Sequence, residues 1–97
     1  MPAICRVGDF SNGYDCYEST ECIQGSTDVL YNGLGVCRVG DAFRETCCNT
    51  FPFPCHNREL AEGSANVSAN GLAVGRVGDP LTDTDTIKTG SPDCFAN

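Results

Sequence analysis

Five residues of this chain carry the donor chemistry of a soft metal site: Cys16, Cys47, Cys48, Cys55 and the only histidine, His56. Four thiols and an imidazole in one short chain meet the four-coordinate nitrogen and sulfur preference of zinc, with iron in second place. Their spacing follows no standard finger pattern. Vicinal Cys47 and Cys48 project in different directions, so one is expected to ligate and the other to pack. Cys55 and His56 can both ligate only if the FPFPCH segment, 51–56, is bent, which its two prolines suit. The same residues allow another chemistry, a disulfide from Cys16 to Cys47, Cys48 or Cys55 beside a solvent-exposed His56. Thiol catalysis is disfavoured, because neighbours on an extended segment face opposite sides and nothing else supplies a base. Asp83 and Asp85 lie in a Thr/Asp-rich turn and are expected to bond local backbone N–H groups. Phe51-Pro52-Phe53-Pro54 is expected to pack over the loops that hold the cysteines, the alternative being a sticky exposed patch.

What must position these residues is a repeated unit. The tetrapeptide Arg-Val-Gly-Asp occurs at 6–9, 38–41 and 76–79, and residues 25–41 align with 63–79 at 11 of 17 positions without a gap. A third copy is split: 90–97 supplies its first half and 1–9 its second. Each unit reads as two short strands around an Asn-Gly pair suited to a type I′ turn, so each is a β-hairpin. The split unit predicts that the N-terminal strand pairs with the C-terminal one, closing a single domain of pseudo-threefold symmetry over 1–97. Loops of unequal length, 10–24, 42–62 and 80–89, join the units and carry the five candidate ligands. The other cysteines fall in the repeat columns: Cys5 and Cys37 align with Gly75, Cys94 with Val29 and Val67, and Cys22 with Leu60 and Ile87. They read as small core residues. The three Arg and Asp pairs read as turn scaffold, since an active site needs unlike residues to converge.

Bulk composition narrows the function classes. Among 97 residues there are 11 Gly and 5 Pro, and no sustained 3.6-residue periodicity, which points to an all-β chain. A thin core needs help from a metal or from bridges. The net charge of −7 opposes binding to a phosphate backbone, so no nucleic-acid partner is expected. No apolar run is long enough to span a bilayer, and MPAICRVGD at the N-terminus lacks a signal-peptide layout, so synthesis in a cytoplasm is expected.

With GS-x-x-V-x-x-NG leading into a small-residue column and then RVGD (Ala3-Ile4-Cys5-Arg6, Gly35-Val36-Cys37-Arg38, Ala73-Val74-Gly75-Arg76), the chain resembles PAAR-repeat proteins from end to end. The resemblance implies a small pointed β-cone with a flat triangular base. In that family the base caps the homotrimeric β-helical spike of a type VI secretion system or contractile phage tail, one chain per trimer. A metal, usually zinc, sits near the apex on His and Cys ligands from the loops. Here this implies a structural, non-enzymatic tip that touches a target membrane transiently, with 10–24 and 42–62 forming the point. Cys16, Cys47 or Cys48, Cys55 and His56 are then the candidate ligands. Loop 80–89 departs from the family in offering neither Cys nor His, with Asp83 at about that place. The competing reading is a disulfide-stapled extracellular binding module.

Overall fold

The structure, a computed structural model, describes residues 1–97 and contains strands, bridges and turns but no helix. Its six strands are β1 (Leu30–Tyr31), β2 (Leu34–Gly35), β3 (Ala42–Cys47), β4 (Cys55–Glu59), β5 (Ser68–Ala69) and β6 (Leu72–Ala73), paired antiparallel as β1–β2, β3–β4 and β5–β6. The first and last pairs are the repeat hairpins. Their Asn-Gly turns have φ of 57° and 78° at Asn32 and Gly33, and 54° and 79° at Asn70 and Gly71, as a type I′ turn requires. Head and tail of the chain complete the third hairpin. Ala3 bridges Phe95, the Ile4 amide donates to the Cys94 carbonyl at 2.9 Å, and the Ala96 amide donates to Pro2 at 3.0 Å.

Three units become one body through a closed cycle of backbone hydrogen bonds. Cys5 N–H donates to Gly75 O, Gly75 N–H to Cys37 O and Cys37 N–H to Cys5 O, at 2.9, 2.8 and 3.0 Å. A second cycle runs from Val7 to Gly35, Val39 to Ala73 and Val77 to Ala3, at 2.8 to 2.9 Å. Such cycles leave no free edge where units meet, which satisfies strands too short to be stable alone. The Arg-Val-Gly-Asp segments are type II turns: the Asp amide donates to the Arg carbonyl at 2.9 Å in all three, with φ of 96°, 93° and 95° at Gly8, Gly40 and Gly78. In each copy the Asp carboxylate accepts from the Arg backbone N–H at 2.8 Å and from the Arg Nε. Arg6 and Arg38 then reach the Asn of the next unit's turn, Asn32 and Asn70, at 3.0 and 2.9 Å. This is scaffold, as the repetition suggested.

The core forms two stacked layers. Ile4, Val36, Ala69, Val74 and Ala96 fill the layer among the hairpins. Cys5, Cys22, Cys37, Phe43, Leu60, Leu81 and Ile87 fill the layer beneath the loops. The second layer explains why the cysteine columns vary. A Cβ at Gly75 would stand 2.6 Å from Leu60 Cδ2 and 3.2 Å from Ile87 Cδ1, so the two large residues need a glycine between them. Where Cys22 replaces the large residue, Cys5 and Cys37 have room for side chains. Hydrogen bonding among these thiols and burial push the Cys37 thiol up, which leaves it protonated and inert.

The region 42–62, expected as a loop, instead contains the longest strand pair. β3 and β4 pair from Ala42 opposite Glu59 to Cys47 opposite Cys55, with an irregularity between Phe43 and Thr46. Phe43 at its foot is anchored in the core while the far end projects, which accounts for extents of 41 × 24 × 20 Å.

Candidate metal centre

β4 places its residues by strict alternation. Arg58 and, just past the strand, Leu60 face the core, His56 lies on their side of the strand but stays half exposed near the apex, and Cys55, Asn57 and Glu59 face solvent. Arg58 is fully buried beneath the apex. Its guanidinium donates to Asp85 Oδ2 at 2.5 Å, to Thr46 Oγ1, to Ser11 Oγ at 3.4 Å and to the Glu18 carbonyl at 3.4 Å, while Nε has no partner. The guanidinium carbon lies 5.3 and 5.9 Å from the Tyr14 and Tyr17 ring centroids. One cation thereby ties all three connecting loops together.

Asp85 and Asp83 do more than the local bonding expected of them. Asp85 accepts from the Thr86 amide at 2.8 Å, which is local, but also from Gly13 N–H at 2.8 Å and from buried Arg58. Asp83 accepts from the Tyr14 hydroxyl at 2.8 Å and lies 3.1 Å from His56 Nδ1, which is 2.9 Å from the same hydroxyl. Burial first, and then the hydrogen bond to Asp83, push the Tyr14 phenol up to about 12. The His56 ring stacks on Tyr17 with centroids 4.4 Å apart. Sequence reasoning missed Arg58 altogether. The one signal was the His-x-Arg-x-Leu alternation of a half-buried strand, and an arginine is a poor marker of an inward position.

The four apical cysteines converge in pairs. Cys16 is bonded to Cys48, fastening loop 10–24 to the end of β3, and Cys47 is bonded to Cys55 directly across the β3–β4 ladder. Vicinal Cys47 and Cys48 do diverge. Cys48 is buried and Cys47 exposed, so they serve different loops. His56 faces away from its neighbour Cys55 and contacts Tyr14, Tyr17 and Asp83. A donor that sequence reasoning did not consider joins them: the ligand atoms of Glu45, Cys47 and Cys55 all lie within 4.8 Å of one another on the exposed face. One carboxylate and two sulfurs suit a divalent ion of borderline softness once the sulfurs are thiolates. Beyond them the chain turns through Phe51 and Phe53, which are 84% and 57% exposed. The expected packing of these rings over the cysteine loops is therefore corrected. They touch each other edge to face, 6.2 Å apart, and stand out into solvent at the turn between β3 and β4.

At the opposite end Leu30, Leu34, Leu72 and Phe95 are 41 to 53% exposed and Met1 is 78% exposed, a set of apolar residues around the three hairpins. The chain contains no helix long and apolar enough to cross a membrane. Compared with known proteins, residues 12–87 match the family described as the PAAR motif. No curated protein matches the chain.

Proposed function

Because the chain belongs to the PAAR-motif family, we propose that it is the structural tip of a contractile injection machine, capping a homotrimeric β-helical spike with one chain per trimer. The whole of 1–97 acts as a single domain, with the hairpin end as base and loops 10–24 and 42–62 as point. The observation that carries this reading is the closed threefold cycle of backbone bonds through Cys5, Cys37 and Gly75. A single chain with threefold-related surfaces can meet three identical subunits equivalently. The exposed apolar residues Leu30, Leu34, Leu72 and Phe95 supply the contact. No catalytic role is assigned.

The apex serves rigidity. A metal, zinc in this proposal, binds there on ligands drawn from the candidates Cys16, Cys47, Cys48, Cys55 and His56 whose sulfurs are not bridged, so that metal binding adds to the stability of a domain with little core. The exposed Phe51 and Phe53 make the first, transient contact with a target membrane. The chain is made in a cytoplasm and assembled into the tip of a secretion apparatus or a phage tail. The paired sulfurs favour a second reading, a disulfide-stapled extracellular binding module. Mixing the protein with candidate spike trimers and measuring mass by light scattering separates the two. One chain per trimer is expected of a tip, and no association with any β-helical spike would leave the binding module.

A further inference from the structure

The four apical sulfurs are not equivalent, and the difference has a chemical consequence. Cys47 and Cys55 are both exposed and lie opposite each other in the β3–β4 ladder, with Cα atoms 4.0 Å apart. Their bridge closes a separation of only 8 residues. Cys16–Cys48 spans 32 residues, and Cys48 is 3% exposed. A dithiol reductant therefore reaches the first bridge and is shielded from half of the second, and the longer loop gains more from its bridge. Opening the first bridge leaves the thiols where they are, because strand pairing, the Cys16–Cys48 bridge and the Arg58 network all hold the hairpin independently. Glu45 precedes Cys47 by two residues on β3 and so projects from the same face.

We propose that the apex is a metal site gated by thiol–disulfide exchange: Cys47, Cys55 and Glu45 hold a divalent cation when the cross-strand bridge is reduced, and lose it when the bridge forms. The inference deepens the proposed metal-bound tip by naming its ligands and its control. In the reducing step a dithiol attacks one sulfur of the bridge and forms a mixed disulfide, which its second thiol resolves. The reductant leaves as a disulfide, two electrons pass to the protein, and Cys47 and Cys55 each gain a proton. On binding a cation both thiols would lose their protons to solvent, and the two thiolates with the Glu45 carboxylate would supply three protein ligands. A disulfide oxidant of the glutathione class reverses the exchange. His56 lies outside this ligand set, since it projects from the opposite face toward Asp83, Tyr14 and Tyr17.

The test uses the full chain, cobalt(II) as a spectroscopic probe and zinc in competition with a chromophoric chelator. After mild dithiol treatment, mass mapping is expected to find Cys47 and Cys55 free and Cys16–Cys48 intact, with one cobalt bound and a thiolate-to-cobalt charge-transfer band. The untreated bridged protein is expected to show neither. Glu45 is exposed, so Glu45→Gln leaves folding intact; it is expected to weaken zinc binding by at least the roughly tenfold that loss of an outer-shell partner costs. His56→Ala is expected to retain the site. Equal metal binding by both redox forms would overturn the gating. Loss of binding in His56→Ala with none in Glu45→Gln would overturn the ligand assignment while leaving a metal-bound tip in place. Absence of metal from either form would remove the metal altogether, and spike binding by the same sample would show whether the tip reading survives it.

Discussion

Asp85→Asn tests the tie that holds the three loops together. Asp85 and Arg58 are both fully buried, with 2.5 Å between Arg58 nitrogen and Asp85 oxygen. The amide keeps an acceptor for the Gly13 and Thr86 N–H groups but strips the guanidinium of its counter-charge. Removing one partner of a buried pair costs about 3–5 kcal/mol, because the surviving charge stays desolvated. In a domain of this size each kcal/mol moves the melting temperature by about 4–8 °C, so the variant is expected to melt at least about 12 °C below the parent. The assay is thermal unfolding by circular dichroism, with both disulfides confirmed intact in each sample. Arg58→Met combined with Asp85→Asn supplies the control. It removes the uncompensated guanidinium while the amide oxygen still accepts from the Gly13 and Thr86 N–H groups, and is expected to recover most of the loss. A melting temperature for Asp85→Asn within about 2 °C of the parent, an offset that reflects well under 1 kcal/mol here, would refute the claim that this pair locks the apex.

Other outcomes follow from the same geometry. Gly35→Ala would put a Cβ 2.3 Å from the Ser26 carbonyl and Gly63→Ala one 2.4 Å from that of Val74; each is expected to lose about 1–3 kcal/mol in urea unfolding. Gly71→Ala has open space but a φ of 79°, and is expected to lose only about 1 kcal/mol. The Asn70 and Ser26 side chains hold the Asp28 carboxyl below its ordinary value, and Asn32 and Ser91 do the same for Asp93. Carboxylates depressed in the folded state add stability above their unfolded pKa and lose it as pH falls through the folded one. Unfolding midpoints are thus expected to drop below about pH 4, and Asp28→Asn with Asp93→Asn should flatten that acid limb. Thiol titration of the unreduced, denatured chain is expected to count four groups, Cys5, Cys22, Cys37 and Cys94, with the first three unreactive until it unfolds. Phe51→Ser with Phe53→Ser is expected to leave the melting temperature unchanged and abolish flotation with zwitterionic vesicles; equal flotation would dismiss the rings as the membrane contact.

The sequence by itself determined the repeating frame. A 17-residue unit with Asn-Gly at one turn and Val-Gly-Asp at the other admits only a hairpin, and a copy split between residues 90–97 and 1–9 can be satisfied only by pairing head with tail. Local backbone demands are written in single residue types, which is why Gly33, Gly71 and the three Arg-Val-Gly-Asp turns were legible. Tertiary structure alone decided the apex. Whether Cys16 meets Cys47, Cys48 or Cys55 depends on how far β3 extends and where its irregularity between Phe43 and Thr46 falls, and no local signal encodes either. Arg58 was invisible for the same reason: a charge becomes buried only when Asp85, Thr46 and Ser11 arrive from three different segments to solvate it. Glu45 belongs beside Cys47 and Cys55 because a two-residue strand period puts it there, and that period had to be seen before the carboxylate counted as a ligand.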